Sequence, residues 1–130
     1  MNLALLAAAL IASWEGLRTS AYQDSGGVWT IGLGHTAGVH SGDTCTPEQA
    51  AGWLAEDAAP LLSVVKDEPL VAAAAYVSFG YNCGRASLEH VLAGKANLVE
   101  FVHDRHGNVL DGLARRRRAE QALIDSVAKI

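Results

Sequence analysis

Between Trp14 and Thr36 the chain reads WEGLRTSAYQDSGGVWTIGLGHT, and its hydrophobic period changes within a few residues. Leu3, Leu6, Leu10 and Trp14 recur at helical spacing, which predicts an opening helix with one buried stripe. That helix is expected to end at Glu15, with Gly16 as a left-handed C-cap. Two short β-prone runs follow, Leu17 to Gln23 and Val28 to Leu33, around the turn Asp24-Ser25-Gly26-Gly27. A lone hairpin has too little apolar surface to stand in water. It must therefore lean on helices, so the chain is expected to be α+β: a small N-terminal hairpin lobe with a larger helical lobe.

The remaining residues supply that helical lobe. Thr46, Pro47 and Gln49 form the pattern of a capping box with proline in the first turn. The helix they open carries Trp53, Leu54, Leu61, Leu62 and Val65 inward, with a kink or break expected near Ala59 because of Pro60. Pro69 precedes a nearly all-apolar helix over Leu70 to Phe79, which predicts a central position in the core. Ser87 is expected to cap a short helix stopping near Gly94, Asn97 to Val102 to give a further turn or two, and Gly112 to Val127 to form the last helix. At 130 residues the whole chain, 1–130, is expected to be one domain with a core of its own.

Half of the residues are apolar and 18% are charged, which excludes a disordered chain. The formal net charge is −4, and Arg18 is the one basic residue among the first 60. Nucleic acid is therefore not expected as a partner, although the run Arg115 to Arg118 gives one local basic edge. The first apolar run lacks a basic leader and is too short to span a bilayer, so it is read as the first helix and no stable membrane insertion is expected. Cys45 and Cys83 lack metal-site spacing; free thiols and one long-range disulfide both fit, with free thiols favoured. His103 and His106 flank Asp104 and Arg105 but have no third ligand in view, so neither metal nor cofactor is expected.

Glu15, Asp24 and Thr30 are the residues on which chemistry can be built. A helix-end acid, a turn acid and a hydroxyl on the return strand can converge on one point, and two facing carboxylates are the minimum for cleaving a glycosidic bond. A carboxyl group sheltered by Trp14 at the negative end of a helix dipole is suited to keep the proton that a general acid donates. Asp24 then activates water or stabilises positive charge at the sugar, and Thr30 orients that water. His35, at the end of the second strand, is expected to pair with Asp57 on the following helix.

The residues Glu15-Gly16-x-Arg18, Tyr22-x-Asp24 and Thr30-Ile31-Gly32-x-Gly34-His35 resemble the motif of the phage-type lysozymes, the bacteriophage endolysins of glycoside hydrolase family 24. Residues 46–57, 78–88 and 112–124 extend the resemblance, and the segment between Gly94 and Gly112 is shorter than in the family. The resemblance implies a lysozyme-like fold with Glu15, Asp24 and Thr30 as the catalytic trio. It also implies an endolysin that hydrolyses β-1,4 bonds between N-acetylmuramic acid and N-acetylglucosamine in peptidoglycan. Thr36, Tyr81 and Ser87 are the expected walls of the glycan site, together with the Tyr81-Asn82-x-Gly84 element. One arginine of the run is expected to reach the cleft, Arg115 first among them. A monomer made in the host cytoplasm and released to the periplasm by a separate holin completes the expectation. The competing readings are a lytic transglycosylase, in which a water-positioning pair is superfluous, and a non-catalytic wall-binding module, which would not need the trio intact.

Overall fold

A computed structural model of the chain describes residues 2–128. Its order is helix α1 (Leu3–Trp14), strands β1 (Arg18–Gln23) and β2 (Trp29–Gly32), helices α2 (Pro47–Leu62), α3 (Leu70–Cys83) and α4 (Arg85–Leu92), a 3-10 turn (Leu98–Glu100) and helix α5 (Asp111–Ala128). The architecture is the expected α+β arrangement, with the antiparallel hairpin as the sheet among the described residues.

The side chain of Asn2 caps α1 by accepting from Leu5 N at 2.9 Å. The buried stripe is rotated from the expected one: Ala7 and Ile11 are fully buried, Leu3, Leu6 and Leu10 flank them, and Trp14 is 38% exposed. Helix α1 packs on α3, which buries a run of small residues from Ala72 to Ala75. Gly16 is not left-handed. The helix stops because Glu15 itself turns extended, at φ −87° and ψ 123°, while its N–H still bonds Ile11 O.

In the hairpin Tyr22 lies opposite Thr30 and Gln23 opposite Trp29, with an irregularity between Arg18 and Tyr22. The far edge of β1 is covered by returning chain, where Ala21 N bonds Asp43 O and Cys45 N bonds Thr19 O. Beyond β2, Ile31 and His35 exchange both backbone hydrogen bonds at 2.9 Å, and Gly32 and Gly34 supply the positive φ this reversal needs.

The capping box of α2 is formed, with Gln49 N on Thr46 Oγ1 and Thr46 N on Gln49 Oε1. Pro60 does not break this helix near Ala59; it sits in the last turn of a helix that runs to Leu62. So late in the helix a missing N–H costs one bond that fraying would weaken anyway. Helix α3 is the centre of the core, with Ala72 to Ala75 and Val77 to Gly80 buried, and it continues one turn past Phe79 to Cys83. Helix α4 then starts from Gly84 (φ 95°), not from Ser87, which lies inside it. A side chain at Gly80 would come within 2.9 Å of Leu88, so this glycine lets α4 pack tightly on α3. No described helix is long and apolar enough to cross a membrane.

Candidate active site

Glu15 emerges between the two lobes, with its side chain 23% exposed. Its surroundings differ from those expected. Trp14, itself 38% exposed, lines the same recess, and Arg116 Nη1 meets Oε1 at 3.1 Å. Oε2 lies on the other side, facing Gly34, where an added Cβ would be 3.2 Å away. Gly34 is thus required twice, by its φ of 86° and by the carboxylate it faces.

Arg116 was not the arginine expected here. Arg115 is exposed and lines the rim of a recess with Trp14, Glu15, Asn82, Leu113 and Arg116. Arg116 is buried: Nη2 donates to Ser78 O at 3.0 Å and Nε meets Glu120 Oε2 at 3.2 Å. Ser78 Oγ donates to the same Glu120 oxygen at 2.6 Å. Arg117, fully buried over the Phe79 ring, stands 2.7 Å from Glu120 Oε1 as an ion pair, its Nε–H off the line a hydrogen bond needs. Two guanidinium groups and two carboxyl groups therefore meet in one network, and Glu15 is the carboxyl group nearest solvent.

The hairpin presents the second carboxylate. Asp24 Oδ1 accepts from Gly26 N at 2.8 Å and Val28 N at 2.9 Å, an Asx turn that occupies Oδ1 and leaves Oδ2 without a hydrogen-bond partner among the described residues. Tyr22 and Thr30 face each other across the ladder and Asp24 is two residues beyond Tyr22, so the three share one face. Thr30 is buried and donates its hydroxyl proton to Val28 O at 2.9 Å, which leaves its lone pairs free to accept. Burial pushes the Tyr22 hydroxyl pKa up, the charges of Glu15 and Asp24 add to the rise, and Arg18 over its ring opposes it. One hydroxyl within the field of both carboxylates links the two sides of the site.

Tyr81 supports Gly34 from below, its hydroxyl donating to Leu33 O at 2.7 Å. Burial first, then the charges of Asp57 and Glu15, raise its pKa well above the usual value. With Thr36, Asp57, Pro60 and Arg85 it lines a recess of about 270 Å³ beside the Glu15 site. Ser87 lines neither this recess nor the one at Glu15. His35 is buried, stacks on Trp53 at 4.7 Å and meets Asp57 Oδ2 at 2.7 Å, the pair expected from the sequence. Cys45 and Cys83 are free; Arg117 Nη1 donates to Cys83 Sγ, whose pKa burial raises against the opposing pull of that arginine. Among the described residues no three potential ligands gather as a metal site.

The helical lobe carries Glu15 and the hairpin lobe carries Asp24, in the two-lobed α+β architecture of a lysozyme-type fold. Residues 12–120 match the family model described as phage lysozyme. The endolysin of Acyrthosiphon pisum secondary endosymbiont phage 1 is 35% identical, the match covering 90% of this chain and 93% of that protein. Among solved structures, the endolysin from Escherichia coli O157:H7 phage FAHEc1 superposes with a TM-score of 0.78 at 27% identity, over 95% of this chain and 93% of that one. The muramidase domain of SpmX from Asticaccaulis excentricus gives 0.74 at 31% identity, over 91% and 93%. The chain belongs to the phage lysozyme family, and its activity is the peptidoglycan hydrolysis of that family.

Proposed function

We propose that Glu15 is the general acid of a muramidase that cleaves the β-1,4 bond from N-acetylmuramic acid to N-acetylglucosamine, and that Asp24 and Thr30 hold the attacking water. Glu15 gives the proton on Oε2 to the glycosidic oxygen as the bond to the anomeric carbon breaks. Water attacks that carbon from the opposite face and passes a proton to Asp24 Oδ2. Thr30, with its own proton committed to Val28 O, accepts the water's second hydrogen and aims its lone pair. The observation that carries this reading is the division of Glu15: one oxygen anchored by Arg116, the other free beside Gly34. A site that places water between its carboxylates inverts the anomeric configuration, and its carboxyl groups stand about 6.5–9.5 Å apart. Thr36, Tyr81 and Arg115 border the glycan in this reading, in the two recesses that flank Glu15.

The enzyme works as a single domain and as a monomer, reaches the wall after a separate protein opens the inner membrane, and causes lysis of the host. Proton NMR of a chitooligosaccharide or peptidoglycan fragment, read before mutarotation, tests the mechanism. Initial α-anomer is expected. Initial β-anomer, a sugar trapped on Asp24, or anhydro-muramic ends in place of reducing ends would each overturn it.

A further inference from the structure

The chain contains the same turn twice. In residues 24–28, Asp24 N bonds Val28 O, Gly27 N bonds Asp24 O, and Asp24 Oδ1 accepts from Gly26 N and Val28 N. In residues 104–108, Asp104 N bonds Asn108 O, Gly107 N bonds Asp104 O, and Asp104 Oδ1 accepts from His106 N and Asn108 N. The glycines have matching φ, 80° at Gly27 and 84° at Gly107. One turn tips the hairpin and carries Asp24; the other tips the loop between the 3-10 turn and α5, in the helical lobe, where a His103–Val109 bridge closes its base. They meet tip to tip. Arg105 Nη1 donates to Gly26 O, and an added Cβ on Gly26 would lie 3.4 Å from both Cδ and Nη1 of that arginine.

We propose that Arg105 is a positioning residue that ties the Asp24 turn to the lobe holding Glu15, and so sets the gap between the two carboxylates. This rests on the roles proposed above for Glu15 and Asp24. Glu15 is fixed in the helical lobe through Arg116, whereas the hairpin is fixed to that lobe at its base, by Tyr81 on Leu33 and His35 on Asp57. From Gly32 to Val28 the free arm is roughly 13 Å at about 3.3 Å per residue, so a rotation of about 4° at the base carries the tip about 1 Å. An error of about 1 Å in a reacting group can cost about 10²-fold in rate. Among the described residues the hydrogen bond from Arg105 is the one that joins the tip to the helical lobe. The rigid turn behind it is the reason an exposed arginine can hold a position: Asp104 is fixed by the backbone hydrogen bonds of its own loop, which also lower its pKa.

The test compares Arg105→Ala, Arg105→Lys, Asp104→Ala and the double variant on disaccharide-peptide oligomers, with amide exchange at Gly27 and Val28 followed by NMR in the same proteins. Arg105→Ala should lower kcat by about 10- to 100-fold with KM within about twofold, unchanged thermal stability and faster exchange at both amides. Lysine should restore part of kcat. Asp104→Ala should act in the same direction, and the double variant should be no worse than the poorer single one, because both remove one tie. A rise in KM alone would make Arg105 a glycan contact instead, and a rise in kcat would make it a barrier; either overturns the proposal, as does unchanged exchange at the turn. If the wild type released no reducing ends the muramidase reading would fall, and the exchange measurement would still decide whether the tie exists.

Discussion

Glu15 is the residue on which the proposed chemistry turns, and the isosteric change isolates it. Glu15→Gln keeps a hydrogen-bond acceptor toward Arg116 and removes the transferable proton, so the variant should fold normally and lose at least about 10²-fold in lytic rate. A folded Gln variant with a tenth of wild-type activity would refute the assignment. Arg115 and Arg116, adjacent in sequence, should behave as opposites. Arg116→Ala strips a buried cation from Glu120 and Glu15 and should destabilise by about 3–5 kcal/mol. Arg115→Ala, at an exposed position, should stay within about 0.5 kcal/mol of wild type and act on KM. Chemical denaturation with steady-state kinetics separates the two. The sequence contained the information needed to choose between them. Leu113, Arg116, Arg117, Glu120 and Ile124 fall on one helical stripe, and Glu120 four residues after Arg116 is the counter-charge that makes burial tolerable. Arg115 is off that stripe. The elements that carry Glu15, Asp24 and Thr30 were legible because a helix end and a tight hairpin are local structures, whereas the partner of Glu15 lies 101 residues away.

At the level of elements, glycines divide by what they face. Gly34 and Gly38 both have positive φ, 86° and 70°, but only Gly34 has Glu15 against its missing side chain; nothing lies within 4 Å of Gly38. Alanine at either site should cost about 1–3 kcal/mol of backbone strain. Only Gly34→Ala should also depress kcat, by pushing on Glu15 Oε2; equal kcat losses in the two variants would show that strain, not contact, is responsible. Where elements begin was clear when a side chain marks the end, as Thr46 does. It was obscured when tertiary packing decides. Gly84 stops α3 and starts α4 within one residue, so the serine at 87, which looks like a cap, is simply a helical residue. For a related reason Pro60 produces no break: only two helical residues follow it, so little helix remains to be disrupted.

For the whole molecule, the three tyrosines weaken the fold in alkali, alongside the Cys83 thiol, whose pKa burial also raises. Burial is the leading cause at Tyr22, Tyr76 and Tyr81, and each pKa is raised in the fold. The native state therefore holds these protons after the unfolded chain has released them. Their contribution is complete below the unfolded value of about 10 and is lost as pH rises past it toward the native values. Urea unfolding between pH 8 and 11 should show stability falling above pH 10, and Tyr81→Phe should flatten that slope while costing about 0.5–1.5 kcal/mol at pH 8 for the Leu33 hydrogen bond. A stability that rises through this range would contradict the sign.

The span between Glu15 and Arg116 also orders events during synthesis. The acid, the hairpin and Asp24 are all made within the first quarter of the chain, yet the guanidinium that fixes Glu15 and the Glu120 that fixes the guanidinium come near its end. At about 5–20 residues per second the ribosome needs roughly 5–20 s to travel from one to the other. Throughout that interval the nascent chain carries the residues of a wall-cleaving enzyme without a place to hold them, and the site assembles only when α5 has left the ribosome and docked on α3.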